Sequence, residues 1–366
     1  MADAFSLGVR AQDELGFFDL ELPPLGDGDV LVRTLYSGLS AGTELTYLKG
    51  TDPGFSSRRH PEFGVFIPGE ASRTYPVTAM GYMEVAVVAK SRRPDLPEGS
   101  LAAAAYGHRS AQVLAAGAVA VPVPPDVEPI LGIYLAQMGP ICANGLLHAA
   151  AELTSGADVR LADGVRDRAV LVTGAGVVGL LTALFARLHG AGEVVVADPD
   201  PRRLAVATAL GLDVIDESTT QPWQECKTRW VHGAGDRGAD LVFQCRGRSA
   251  VLHEALRSLR PQGVVIDMAF YTGGAADLRL GEEFHHNGLT IRCAQIGRVP
   301  RGLGDRWDRR RLAVETGRLL AAHGDAIRRH LITDVVPVRE AAEVIAALSR
   351  RERSAVQVVL DFDEAH

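Results

Sequence analysis

Three glycines, Gly174, Gly176 and Gly179, stand at the spacing G-x-G-x-x-G, and Asp198 lies beyond them at the end of an apolar run. Gly174 permits a tight turn, Gly176 lets backbone approach a pyrophosphate, and Gly179 lets a helix pack closely on a strand. With Val177 and Val178 they would turn the unpaired N–H groups and positive end of a helix toward phosphate oxygens. A carboxylate at Asp198 can accept both ribose hydroxyls of an adenosine, and it would repel a 2′-phosphate in the same place. The stretch reads as a dinucleotide site that prefers NAD, while Arg202 is the residue that would favour NADP.

The flanking elements are those such a site needs. Ala169 to Thr173 is apolar without alternation, as a buried parallel strand is. Leu180 to Leu188 reads as a helix closed by Gly190, and Val194 to Ala197 as a second strand. Helix and strand then alternate: Pro201 to Leu210, Leu212 to Ile215, Asp240 to Cys245, Ser249 to Leu259, Gly263 to Ala269 and Thr290 to Cys293. This order implies an α/β, doubly wound parallel sheet. Upstream, Asp29 to Thr34, Glu84 to Lys90 and Ala118 to Val123 read as short strands between Gly/Pro turns, which suggests a compact, barrel-like β domain. Ile130 to about Ala151 reads as a helix leading into the nucleotide domain, and Thr154 to Asp167 as a polar surface loop. Trp307 to Gly324 and Arg339 to Leu348 read as helices, with a strand entry at Asp334 to Pro337. A closing strand, Ala355 to Phe362, is placed to complete the first domain.

The 366 residues have room for two domains, and 47% apolar with 23% charged residues suits a soluble globular protein. A formal net charge of −7 argues against nucleic acid or an anionic membrane as the main partner. No apolar run reaches the roughly 18 residues of a membrane span, and the first residues lack a secretion-signal pattern. Cys142, Cys226, Cys245 and Cys293 form no C-x-x-C pair, which fits a reducing cytoplasm and no zinc-finger spacing. Lys49, Lys90 and Lys227 are the lysines of an otherwise arginine-rich chain, a bias suggesting a high-GC bacterium.

A nucleotide domain set between a β-rich N-terminal domain and its returning C-terminal segment resembles the medium-chain dehydrogenase/reductase superfamily. The matching stretches are SGLSAGTELTYLKG (37–50), YPVTAMGYMEVAVV (75–88), the glycine loop with Asp198, GADLVFQCRG (238–247) and the terminal SAVQVVLDF. SGLSAGTE, GY in place of GH, and FYTGGAADLRLGEEFHHN (270–287) are most similar to its bacteriochlorophyllide dehydrogenase-like subgroup. The resemblance implies a GroES-like catalytic domain over 1–140, completed by 305–366, and a Rossmann domain over 141–304. It places Arg203 at the adenosine ribose, Cys245 at the strand end under the cofactor, and Phe270 and Tyr271 beside the nicotinamide. It also implies a homodimer through the edge strand near Thr290.

Zinc members of that superfamily carry a Cys in G-I-C-G-T-D-x-H and a His in G-H-E. Here Ser40 or Ala41 stands at the Cys, Tyr82 at the His, Met83 at the Glu, and the third ligand position falls near Pro140. No cysteine lies between Ala89 and Val121, where a structural zinc would be held. Neither zinc site is expected, so no metal is. Proton chemistry must then come from hydroxyls, His or acids. The candidates are Tyr82, whose phenol replaces the imidazole; Thr43, matching the proton-relaying Ser/Thr; Ser40 close by; and His108, which is otherwise a loop histidine. Glu44 reads as a partner of a basic group or backbone amides, and His148 as packing. His285 and His286 beside Glu282 and Glu283 read as surface or interface. The substrate pocket is expected around Phe63 to Tyr75, His108 and Trp307.

The leading expectation is an NAD(H)-dependent, zinc-independent oxidoreductase interconverting a secondary alcohol and a ketone, a cytoplasmic enzyme of a biosynthetic pathway acting on a small molecule. The alternatives are an NAD(P)H-dependent reductase of an activated C=C bond and a nucleotide-binding protein without turnover.

Overall fold

A computed structural model describes residues 4–154 and 158–363. The chain divides into two compact units, one of residues 1–137 with 333–366 and one of residues 138–332.

In the second unit six strands lie parallel in the order Asp213–Asp216, Glu193–Asp198, Ala169–Thr173, Ala239–Gln244, Leu259–Asp267 and Thr290–Cys293. Counted along this unit, the order is 3-2-1-4-5-6, that of a doubly wound dinucleotide fold. The strand order reverses between Ala169–Thr173 and Ala239–Gln244, and such sheets bind ligands beyond the strand ends at that point. Every residue of Ala169–Thr173 is buried, which accounts for its unbroken apolar run. Leu171, Val195, Val242 and Val265 of four neighbouring strands share one core with Leu252, Ala255 and Leu256 of the helix Ser249–Ser258. The helix Pro201–Ala209 starts on Pro201, behind an Asp200 side chain that accepts from the Arg202 N–H. Proline costs nothing at that position because its missing donor has no helical partner.

The first unit is built on a seven-stranded sheet. Val30–Gly38 pairs antiparallel with Glu84–Ser91 along one edge. Along its other edge it pairs with Ala111–Leu114 and then with Gln357–Asp361. The closing strand thus completes the first unit, joining a partner more than three hundred positions earlier in the chain. The architecture is α/β, a GroES-like β-rich unit and a Rossmann unit.

Three local expectations are revised. The helix expected from Ile130 to Ala151 is a 3-10 turn, Pro129–Tyr134, followed by an α-helix, Met138–Leu153. Gly132 explains the tight turn, because a Cβ there would lie 2.8 Å from the Val85 side chain. The return to the first unit comes at 333, not 305. The helix Arg309–Ala326 packs on Met138–Leu153, where a Cβ on Gly139 would lie 2.2 Å from the Thr316 side chain. The loop expected over Thr154 to Asp167 contains a short 3-10 turn, Leu161–Gly164, with Leu161 and Ala162 buried; residues 155–157 of that expectation lie outside the described residues.

Candidate functional site

In the Rossmann unit the chain leaves Ala169–Thr173 through Gly174, whose φ of +105° is open to glycine and strained for other residues. Its N–H donates to the Ala197 carbonyl at 2.7 Å, which ties the loop to the next strand. A Cβ on Gly179 would lie 1.8 Å from the Gly174 carbonyl oxygen, so the helix Val177–Leu188 can start here only over a glycine. Gly176 precedes this helix without any capping side chain. Gly176, Val177 and Val178 are half-buried, between the wholly buried Ala175 and Gly179. From a Cβ on Gly176 the only heavy atom within 4 Å is Arg203 Nη1, at 3.9 Å. A helix end of this kind, with a guanidinium beside it, has the chemistry to receive an anion.

Asp198 ends the neighbouring strand and is 3% exposed. Its carboxylate accepts from the Ala175 N–H at 2.9 Å and the Asp200 N–H at 2.8 Å, so the loop itself orients it. Arg203 carries a buried Nε without a hydrogen-bond partner. Arg202, by contrast, is exposed and paired with Asp200 at 3.2 Å. The fit of this loop to a dinucleotide therefore rests on glycine positions that admit no side chain and on an unpartnered guanidinium nitrogen.

Cys245 continues the strand Ala239–Gln244, with its N–H on the Thr173 carbonyl at 3.0 Å. Burial pushes its thiol well above the ordinary range, which disfavours the thiolate a nucleophile would need. Phe270 is 46% exposed, and its carbonyl closes on Gly247, where a Cβ would lie 2.1 Å away. Two residues here escaped the sequence reading. Buried Gln244 accepts from the Thr173 hydroxyl at 2.6 Å and donates to the Tyr271 hydroxyl at 3.0 Å, fixing the strand ends under the loop. Arg246 lies along Gly174 and pairs with Glu217 at 2.6 Å. Both sit inside GADLVFQCRG, but nothing local marks them as more than strand and turn.

In the β-rich unit, Ser40 precedes a short helix, Ala41–Leu48, and Tyr82 precedes the strand Glu84–Ser91. Their hydroxyls are hydrogen-bonded to each other. Burial pushes the Tyr82 phenol above its ordinary range; hydrogen bonds from Ser40 and Thr43 counter this, while the charge of Glu44 adds to it. The three hydroxyl candidates are thus brought together, with Tyr82 and Thr43 half-buried.

His108 does lie in a loop, the connection between the strands Leu101–Ala104 and Ala111–Leu114, but its side chain is wholly buried, which corrects it as a group that could touch a substrate. Its Nε2 lies 2.6 Å from Glu44 Oε2, and its Nδ1 lies 2.6 Å from the Ser37 hydroxyl. Ser37 in turn donates to Glu84 Oε1 at 2.9 Å. Glu44 also accepts from the Ser40 N–H at 2.7 Å, so it has both kinds of partner expected of it. Despite desolvation, the Glu44 and Glu84 carboxylates raise His108 above its ordinary value. Glu84 is raised by burial. Ser37 and Glu84 were missed, because a Ser in a strand and a Glu at a strand start carry no signal until their partners are known.

Of the remaining residues, His148 receives Arg292 Nε at 3.1 Å on its Nδ1, a packing role. His285 and His286 are exposed. Nearby Glu282 and Glu283 face Arg279 at 3.6 Å and Arg257 at 3.8 Å, a charge-balanced surface. Trp307 is 3% exposed, donates to the Val159 carbonyl at 3.1 Å and lies under Arg311, and it lines a cavity with His148, Gln295 and Arg298.

Residues 177–303 match the family described as zinc-binding dehydrogenase. L-idonate 5-dehydrogenase of Vitis vinifera is 36% identical over 97 residues, 26% of each chain. L-threonine 3-dehydrogenase of Pyrococcus horikoshii is 30% identical over 122 residues, 33% of this chain and 34% of that one. The matches thus span about a quarter to a third of these relatives. A dehydrogenase of Sinorhizobium meliloti 1021 solved with NADP has the same fold, with a TM-score of 0.72 at 18% identity over 99% of this chain and 100% of that one.

Proposed function

We propose that the protein is an NAD(H)-dependent, zinc-independent oxidoreductase that interconverts a secondary alcohol and a ketone of a small molecule. The observation that carries the reading is the glycine loop with its oriented Asp198 carboxylate and the unpartnered Arg203 nitrogen. The dehydrogenase names of the partial relatives support the reaction class. NAD is preferred to NADP because Asp198 would face a 2′-phosphate with a second anion, and Arg202 is engaged by Asp200. A cytoplasmic homodimer is part of the same proposal, resting on the resemblance and on the cysteine pattern.

A catalytic zinc needs thiolate, imidazole or carboxylate donors. Ser40 and Tyr82 offer hydroxyls bonded to each other, and Glu44 and His108 are bonded to each other out of solvent. This donor set does not fit zinc.

NAD(H), when bound, supplies or takes the hydride. Tyr82, kept protonated by burial, serves as the acid that gives a proton to the carbonyl oxygen in the reducing direction, and Thr43 and Ser40 hold its hydroxyl. In the oxidising direction the alcohol proton passes to the same oxygen only in its phenolate form, after the phenol has lost its own proton. Binding is tested by NADH fluorescence titration, in which Asp198→Ala is expected to weaken affinity roughly a hundred-fold. Reaction type is tested with deuterated NADH and an enone. Deuterium on the carbonyl carbon is expected; deuterium on the β-carbon would make the protein a C=C reductase instead, with Tyr82 protonating the α-carbon.

A further inference from the structure

Two segments carry the hydroxyl pair, one ending at Ser40 and one at Tyr82, and each is tied down by a wholly buried carboxylate. Glu44 accepts the Ser40 N–H at 2.7 Å. Glu84 accepts the N–H of Met83, the residue after Tyr82, at 3.1 Å, and that of Tyr106 at 2.8 Å. His108 joins these two anchors, directly to Glu44 and through Ser37 to Glu84. We infer that Glu44, His108, Ser37 and Glu84 form a single positioning device that holds the Ser40 and Tyr82 hydroxyls in register for proton transfer.

The direction of the hydrogen bonds follows from donor and acceptor capacity. An ionised Glu84 can only accept, so the Ser37 hydroxyl donates to it and its oxygen must accept from His108 Nδ1–H. Glu44 likewise accepts from Nε2–H. Both ring nitrogens are then donors, and His108 is an imidazolium between two carboxylates, one reached directly and one through a hydroxyl. A buried charge set of this kind is costly to open, because any one member removed leaves the others uncompensated. The backbone on either side of the hydroxyl pair therefore has little freedom to drift. The glycine before Tyr82 fits the same account. Gly81 has φ of +97°, and a Cβ there would lie 2.8 Å from His108 Cε1, so the imidazole occupies the space a side chain would need.

The inference rests on Tyr82 being the acid, and it is tested without a substrate. Protein labelled with [13Cζ]tyrosine is titrated by NMR, with the Tyr82 resonance assigned from Tyr82→Phe. The groups facing the phenol are Ser40, Thr43, Glu44 and Tyr47. His108→Gln removes the cation that balances Glu44 and is expected to move the Tyr82 titration up by about one pH unit, the size of one charge at close range. Ser37→Ala removes no charge and only cuts the link to Glu84. It is expected to change the Tyr82 shift and broaden its line while NADH affinity stays the same, and it serves if the histidine variant does not fold. An unchanged Tyr82 titration and line width in a folded variant would overturn the inference. Failure of the functional reading looks different: Tyr82→Phe would then keep full turnover, whatever the titrations show.

Discussion

The glycine loop and the Ser40–Tyr82 site solve the same problem, fixing polar atoms for a ligand, by opposite means. The loop uses backbone. Its key distances come from residues between Gly174 and Arg203, held by a strand, a turn and a helix that follow one another along the chain. The hydroxyl site uses buried charge drawn from Ser37 to Glu44, from Tyr82 to Glu84 and from His108. One region excludes side chains so that strand, turn and helix can pack closely. The other packs two carboxylates and an imidazole where no solvent reaches. Backbone devices are inexpensive and read directly from glycine spacing, whereas buried-charge devices cost desolvation and are visible only when folded.

Breaking the charged region should therefore be felt first in stability. His108→Ala leaves two buried carboxylates without their cation and is expected to cost about 3–5 kcal/mol, read as a lowered urea midpoint, while any folded fraction binds NADH normally. Breaking the loop should be felt in affinity. Asp198→Ala removes two charge-assisted hydrogen bonds to ribose and is expected to weaken NADH binding roughly a hundred-fold, about 3 kcal/mol, measured by fluorescence titration. Gly179→Ala forces a methyl onto the Gly174 carbonyl and is expected to cost about 1–3 kcal/mol of stability together with NADH binding, the one variant to register in both assays.

A pH titration of stability separates the regions more finely. His108 is raised from its ordinary 6.5, so its contribution is full below that value and is lost as pH rises through the higher folded one. Glu84 is raised from its ordinary 4.5, so the unfolded chain ionises first and stability also falls as pH rises through its window. Urea midpoints are expected to decline from acidic to alkaline pH, and less steeply in His108→Gln. A slope of the opposite sign would show that the imidazole is neutral in the folded protein. The smallest effect is expected from Arg202→Gln. With its guanidinium exposed and turned to Asp200, NADH affinity should stay within about twofold.

How far the sequence could be read follows the same division. The parallel sheet, the helix boundaries near Pro201 and Ser249, the closing strand and the tight glycine turn were legible, because periodicity and glycine spacing are local properties. The candidates Ser40 and Tyr82 came from resemblance to a motif at whose metal-ligand positions they stand, and Thr43 from its match to the proton-relaying Ser/Thr of that motif. The loop position of His108 was legible but its burial was not, because a histidine in YGHRS gives no hint of the carboxylates Glu44 and Glu84. That the Trp307 indole donates to the Val159 carbonyl was not legible either, because its partner lies 148 positions away in the chain.

By itself, then, the sequence determined the order of strands and helices in the nucleotide unit, the conformation of the loop from Gly174 to Gly179, and the carboxylate at Asp198. These depend on residues near each other in the chain, where backbone sterics and hydrophobic period leave few choices. Tertiary structure alone decided that Ser37, Glu44, Glu84 and His108 form one buried set beneath the Ser40–Tyr82 pair. Their partnership depends on the antiparallel pairing of Val30–Gly38 with Glu84–Ser91 and on the His108 N–H held by the Met80 carbonyl at 2.8 Å. A charge can be buried only where the fold delivers its partners, and no stretch of chain states that alone.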